Sequence, residues 1–524
     1  MKGTTAVTLL VVLFCLLWNA PAAGAAESPL RPNILFVVSD DQSWRDTGIS
    51  GSSLVHTPAF DRVAREGVLF THSFSASPSC TPSRSSILTG RHLWQTGEGG
   101  VLYGTFPREF PPFTHALEDA GYFVGWTGKG WGPGEWEPGG LARHPIGREY
   151  NRRLRTPPVS AALDARDYVA NFEDFLRDRP SGTPFFFWFG ATEPHRAYDK
   201  GSGVRAGKRL QDVKVPPCWP DTEEIRSDLL DYALEIEWYD AQLAGFLTRL
   251  EAAGEAANTI VVVTSDNGMP WPRSKVSLYD PGVRMPLAIR WPQRVKGGRG
   301  IDDFVWHTDF APTFLEAAGI SISGRFSGRS LLPMLTSGRS GRVEPQRDRA
   351  YAALERHTWC RPDGATYPIR SLRTYDFLYL RNFEPDRWPT GGPDFISSNK
   401  TFHGDVDGGA TKDFMEDPSC RLRFPQEFEL CYGKRPLEEL YDVRADPDER
   451  KNLATDPRYA AVKKKLWQEL KAYLQQTGDP RIEGKDPWQA YPYRQTVGFG
   501  ATFNRTLSPA EREVAAGQGA HKPQ

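Results

Sequence analysis

Two short runs of the chain are apolar or β-branched at almost every position, Asn33–Ser39 (NILFVVS) and Thr259–Ser265 (TIVVVTS). A strand with one wet face alternates apolar with polar residues. These runs do not, so both are expected inside a parallel sheet covered on both faces. Tyr122–Thr127, Pro184–Gly190 and Pro286–Trp291 are expected to add strands. Between them the apolar period lengthens. Leu229, Ala233, Ile236, Leu243, Leu247 and Leu250 line one face of a long helix. Asp240 interrupts that stripe, which implies a buried hydrogen bond rather than catalysis. A second helix is expected from Asp309 to Ala318, closed by Gly319. Strands alternating with helices predict an α/β domain, a mostly parallel sheet flanked by helices, over residues 27–341.

The pattern changes after Gly341. Strands are expected at Tyr375–Leu380 and Leu440–Val443, then a helix capped by Asp456 with Pro457 in its first turn. Its apolar face is Tyr459, Val462, Leu466, Leu470 and Tyr473. Residues 342–478 thus compose a smaller C-terminal α+β domain. Pro385–Asp407 reads as a long loop, and 479–524 as a polar tail that wraps the surface or frays. At the other end, Lys2, an apolar run Ala6–Trp18 and the small residues Ala22 to Ala26 follow the order of a secretory signal. The apolar run is too short to span a bilayer comfortably. Residues 1–26 are therefore expected to be cleaved, and the protein to be secreted, periplasmic or lysosomal according to its host. No second stretch is long enough for a membrane span.

A chain of 524 residues exceeds what one core usually holds, which agrees with two domains. Lys+Arg 64 against Asp+Glu 65 leaves a net charge of -1, so nothing global calls for nucleic acid or an anionic membrane. An anionic substrate would have to be held by a few local cations. Of six cysteines, Cys15 leaves with the signal and Cys80 has a context of its own. An oxidising compartment permits two disulfides among Cys218, Cys360, Cys420 and Cys431, with the close pair Cys420 and Cys431 the expected bridge. Sequons stand at Asn399 and Asn504.

Ligands of open α/β sheets collect at the carboxyl ends of the strands. The first run ends in Asp40-Asp41 and the later one in Asp266-Asn267. Each pair alone could cap a strand-to-helix turn. Together they put three carboxylates and an amide oxygen in one place, where mutual repulsion calls for a cation. All-oxygen ligation favours Ca²⁺ or Mg²⁺ over zinc.

Between these pairs lies Cys80-Thr81-Pro82-Ser83-Arg84, followed by Leu88-Thr89-Gly90-Arg91. The segment resembles the sulfatase signature, in which such a cysteine is oxidised to formylglycine by a dedicated maturation enzyme. The resemblance runs from about Pro32 to Leu474. It implies an alkaline-phosphatase-like fold and one Ca²⁺ held by Asp40, Asp41, Asp266, Asn267 and the modified Cys80. In that family the aldehyde hydrates to a geminal diol. One hydroxyl attacks sulfur and the other later expels sulfate, so that covalent catalysis splits one hard step into two. The resemblance assigns Arg84 to holding the formylglycine and metal ligands in register. Lys129 and Lys275 contact the sulfate, and His195, in Glu193-Pro194-His195-Arg196, protonates the leaving group. Taken alone, each lysine or arginine would be read as a solvated side chain and His195 as a satisfied core histidine.

One position departs from the family. Lys-x-His is usual at the first lysine, whereas this chain has Lys129-Gly130-Trp131. Indole donates only and cannot exchange a proton at neutral pH. Either another group takes that role, or turnover is slow, or Trp131 is a platform for a sugar ring at the pocket floor. Asp266 to Pro270, Pro194-His195-Arg196 and Leu278 to Gly282 are similar to the heparan N-sulfatase (sulfamidase) branch. Glu355-Arg356-His357 and Tyr367 to Arg370 resemble its substrate-facing loop, which makes His357 and Arg370 the expected substrate contacts. The reading is a sulfatase acting on a sulfated carbohydrate. The alternatives are a phosphatase of the same superfamily and a sulfated-glycan binding protein with lost or slow turnover.

Overall fold

A computed structural model describes residues 31–156, 160–321, 326–397, 401–494 and 505–506. The expected signal segment and the asparagines of both sequons lie outside the described residues. Nine strands form the large sheet: β1 (Asn33–Ser39), β2 (Val68–Phe74), β3 (Phe123–Gly128), β4 (Arg148–Glu149), β5 (Phe185–Gly190), β6 (Thr259–Ser265), β7 (Arg284–Met285), β8 (Leu287–Arg290) and β9 (Arg299–Trp306). Their order is β4-β3-β5-β1-β6-β8-β2-β7, with β9 also paired to β2. β1 lies parallel to both β5 and β6 at the centre, and only β7 and β8 run antiparallel. The expected strand at 286–291 is therefore real but reversed.

The continuous apolar runs have a direct cause. Ile34, Phe36 and Val38 join one core cluster and Leu35 and Val37 the other, so β1 is covered on both faces. Phe310 and Phe314, from the helix Phe310–Ala317, stack edge-on against Phe36 at 5.3 and 5.5 Å. On the opposite face the helix Glu223–Ala252 lays Phe246 flat against Phe189 at 4.5 Å. Each such ring contributes ~1.5–3 kcal/mol by leaving water. Asp240 on that helix accepts from the backbone N–H groups of Ala59 (2.9 Å) and Phe60 (2.8 Å), at the start of the helix Pro58–Glu66. β2 and β9 escape a search for apolar runs because Thr71, His72, Asp302 and Asp303 break theirs.

A second, antiparallel sheet contains β10 (Arg349–Leu354), β11 (Ile369–Thr374) and β12 (Phe377–Asn382). After the short β13 (Phe395–Ile396), it is completed by β14 (Glu438–Asp442), while β13 pairs with β15 (Arg505–Thr506). The helix Ala460–Gln476 packs on the four-stranded sheet, with Tyr473 stacked 3.7 Å from Tyr351. Its entry is a separate 3-10 turn, Pro457–Tyr459, where Asp456 caps Arg458 N–H.

Two expectations need correction. Cys420 and Cys431 do not bridge: all five cysteines among the described residues are free. They sit on consecutive short helices, and with Cys218 they fill one apolar cluster as small hydrophobes. The segment after Gly478 is also not simply a surface tail, because Asp479 and Trp488 are buried. Among the described residues no helix is long and apolar enough to cross a membrane.

Candidate active site

The carboxyl ends of β1, β3, β5 and β6 open into a cavity of about 440 Å³, lined among others by Asp40, Cys80, Lys129, His195, Lys275 and His357. At the end of β1 the backbone turns sharply, with Asp41 at φ 73°, a left-handed conformation that Asp tolerates better than most residues. The turn brings one oxygen each of Asp40, Asp41 and Asp266 within 4.8 Å of one another, all buried. Asp266 Oδ1 accepts from the N–H groups of Asp41 (3.2 Å) and Asn267 (2.8 Å). Asn267 Nδ2 donates to Asp41 Oδ1, which leaves its own Oδ1 buried without a partner.

Cys80 is the first residue of the helix Cys80–Thr89, its thiol 3.6 Å from Asp40 Oδ1. The helix N-terminus there favours an anion. Arg84, one turn on and fully buried, ties the site together. Its Nε donates to Asp266 Oδ2 (2.8 Å) and its Nη1 to the carbonyls of Lys129 (3.0 Å) and Gly130 (2.7 Å). Lys129 follows β3 through Gly128, at φ 82°, where a Cβ would meet Gly190 O at 1.9 Å, so only glycine fits. Its Nζ lies 2.5 Å from Asp40 Oδ2, and Lys275 Nζ lies 2.7 Å from Asp41 Oδ2. His195, beyond β5, is part-exposed with Nε2 3.7 Å from Asp41 Oδ2. His357 Nδ1 is 2.8 Å from the hydroxyl of Ser79, the residue before Cys80.

Burial would raise Asp40, but Lys129, His195 and Arg84 outweigh it and hold the carboxyl well below its usual range. Asp41 has less compensation, and burial lifts it to about 6 despite Lys275. Burial also pushes the Cys80 thiol up, so an unmodified Cys80 is not a thiolate at neutral pH. His357, lowered to about 4 by burial, is a neutral imidazole there.

Against this geometry, the sequence profile of the Sulfatase family matches residues 32–320, more than half of the chain. The chain belongs to the sulfatase family. Among curated relatives of this sulfatase, the human N-sulphoglucosamine sulphohydrolase is 28% identical over 505 residues, covering 87% of this chain and 92% of its own. An ulvan-active sulfatase of Formosa agariphila is 27% identical over 464 residues, covering 86% and 81%. A solved structure in complex with its substrate D-glucosamine-2-N,6-O-disulfate superposes with a TM-score of 0.61 at 21% identity, covering 87% of this chain and all of that one. The phosphonate monoester hydrolase of Agrobacterium radiobacter shares the fold with a TM-score of 0.57 at 18% identity, covering 86% and 97%.

Two residues expected at the sulfatase's cavity are elsewhere. Arg370, on β11, is fully buried between Glu355 (2.7 Å) and Asp479 (2.6 Å), and its Nη1 donates to the carbonyls of Leu354 and Ile369. Its guanidinium is spent on joining the small sheet to the C-terminal segment. Trp131 is not a pocket floor. It packs edge-on to Phe106 at 5.2 Å and donates to Ser85 Oγ (2.9 Å) inside the core. Trp131→His is accordingly expected to cost about 3 kcal/mol of stability, the scale of emptying an aromatic core site. Chemical denaturation measures it, and an unchanged midpoint would place the indole outside the core.

The long loop supplies a residue that sequence reading missed. Asp407 lines the cavity and accepts from Lys275 Nζ at 2.8 Å. The buried ammonium of Lys412 fixes that loop by donating to the carbonyls of Phe402, His403 and Val406 at 2.9, 3.1 and 2.9 Å. An aspartate in a loop carries no local signal of such a role.

Proposed function

We propose that this sulfatase removes sulfate from a sulfated carbohydrate of the glycosaminoglycan kind, with N-sulfoglucosamine the first substrate to try. Residue 80 acts as formylglycine after conversion by the formylglycine-generating enzyme, and one Ca²⁺ is held by Asp40, Asp41, Asp266, Asn267 and that matured residue. The observation that carries the reading is the placement of Cys80 at a helix N-terminus beside buried strand-end carboxylates. The donors fit a hard cation: three carboxylates lie together, and the buried Asn267 Oδ1 lacks a partner. When bound, the ion supplies Lewis-acid stabilisation of charge on the sulfuryl oxygens, and formylglycine supplies the nucleophilic oxygen.

The chain's own side chains do the rest. Lys129 and Lys275 stay cationic, because burial, which would lower them, is outweighed by Asp40 for the first and by Asp407 and Asp41 for the second. They hold the sulfate from two sides, over the helix N-terminus. Arg84 keeps Asp266 and the Lys129 turn in register. His195, part-exposed in the cavity wall, gives its proton to the leaving oxygen or nitrogen. His357 contacts the sugar from the opposite domain. The names of the human and Formosa relatives, together with the disulfated glucosamine bound in the solved neighbour, support a sulfated sugar. The charged, apolar and small-residue order of residues 1–26 supports action outside the cytoplasm.

The test is intact mass at residue 80 in protein co-expressed with the maturation enzyme, with sulfate release from N-sulfoglucosamine measured by ion chromatography. Aldehyde and repeated release are expected. A persistent thiol with sugar bound but uncleaved would mean a glycan-binding protein. Cleavage of phosphate esters alone would mean a phosphatase.

A further inference from the structure

The helix Glu223–Ala252 carries buried carboxyl groups at Asp228, Asp231 and Glu235, a spacing of three and four that puts them on one face. The first two are satisfied. Asp228 pairs with both Nη atoms of Arg196 at 2.8 and 2.6 Å. Asp231 accepts from the N–H groups of Gly201 and Gly203, each at 2.8 Å. Glu235 is not. It is 2% exposed, it lines the cavity that holds Cys80 and His195, and its Oε1 is buried without a hydrogen-bond partner. Its neighbour in the wall, Glu193, is turned to other donors, accepting from Asp164 N–H (2.9 Å) and the Tyr168 hydroxyl (3.0 Å).

Native structures rarely leave a buried polar atom unpaired. Glu235 stands in the wall of the cavity, so a ligand bound there brings hydrogen-bonding groups to its carboxyl. Burial, with Glu193 and Asp231 nearby, lifts Glu235 to about 9, so it stands protonated at neutral pH and offers one donor and one acceptor. A sugar hydroxyl has the complementary pair, and the surrounding carboxyls disfavour a second anionic group. We propose that Glu235 is a specificity-determining residue that hydrogen-bonds a hydroxyl of the sugar ring bearing the sulfate, an inference that rests on the sulfated-sugar reading of this cavity.

The test compares kcat/KM for N-sulfoglucosamine with that for 4-nitrophenyl sulfate, an aryl ester without sugar hydroxyls, in the full-length matured enzyme. Glu235→Leu is expected to lower the sugar-to-aryl ratio by ~10- to 100-fold, mostly through KM, as for losing one buried hydrogen-bond partner. Glu235→Gln, neutral and still a donor and acceptor, is expected to stay within ~3-fold. An unmoved ratio in Glu235→Leu overturns the proposal. So does a Glu235→Gln that falls as far as Glu235→Leu, since the group would then be needed as a charge, as for an ammonium. Should Glu235→Leu not fold, Glu235→Asp, which withdraws the acid by one methylene, is expected to lower the ratio by at least ~5-fold, and no change in it is decisive against. A parent enzyme that cleaves aryl sulfate but no sulfated sugar overturns the substrate reading and the proposal together. A sugar-active parent with an unmoved ratio overturns the proposal alone.

Discussion

Cys80→Ser is expected to end repeated turnover, lowering the steady-state rate by ~10⁴-fold or more, the scale of deleting a covalent nucleophile. The substitution is close to isosteric at the first residue of the helix, so folding and the neighbouring contacts to Asp40 should persist. The chemistry changes instead. Replacing the cysteine should block its conversion to the aldehyde by the cysteine-oxidising maturation enzyme, and serine offers one oxygen where the diol has two. A single sulfuryl transfer to the introduced hydroxyl could occur, but no second hydroxyl remains to expel the sulfate. The unmodified thiol is no alternative, because burial keeps it protonated. Intact mass after incubation with substrate should show at most one added sulfate per chain, with no continuing release. Wild-type turnover in Cys80→Ser would refute the two-hydroxyl mechanism.

The site is legible in the sequence wherever its meaning is local. Asp40-Asp41 and Asp266-Asn267 terminate two uninterrupted apolar runs, and those runs are uninterrupted because β1 and β6 contribute side chains to cores on both faces. The Cys80–Arg84 segment carries its chemistry within one helical turn. What fails depends on contacts far along the chain. Sequence reading puts Arg370 at the substrate, yet its carboxylate Asp479 lies 109 residues on, in a segment that reads as a tail. Asp407 lies 132 residues from the Lys275 it holds. Trp131 sits where a family motif places a proton carrier, and only packing against Phe106 and Ser85 shows that this side chain belongs to the core. The Asp228, Asp231 and Glu235 spacing is visible in the sequence. Spacing alone does not tell which of the three is left without a partner.

Asp266→Ala is expected to abolish calcium binding and to cost ~10³-fold or more in kcat/KM, the scale of losing a main electrostatic stabiliser of the transition state. The three carboxylates Asp40, Asp41 and Asp266 face three cations, Arg84, Lys129 and Lys275, at 2.8 Å or less in each closest pair. Asp407 adds a further negative charge on Lys275. Without a metal the charges nearly cancel, so an arriving sulfate would gain little. A bound dication gives the site a positive excess, and its loss should therefore raise KM as well as lower kcat. Alanine also removes the acceptor of Arg84 Nε, and breaking a buried pair costs ~3–5 kcal/mol of stability on its own. Asp266→Asn separates the two effects. It keeps the shape and an oxygen acceptor but drops the charge, so it should retain more of the stability while still losing calcium. Calorimetric calcium titration and denaturant unfolding of both variants measure the two losses independently. In the parent enzyme, exhaustive chelation should remove activity and added Ca²⁺ should restore it. Full activity in the chelated parent would mean that the strand-end carboxylates serve only to hold Arg84, Lys129 and Lys275 in place.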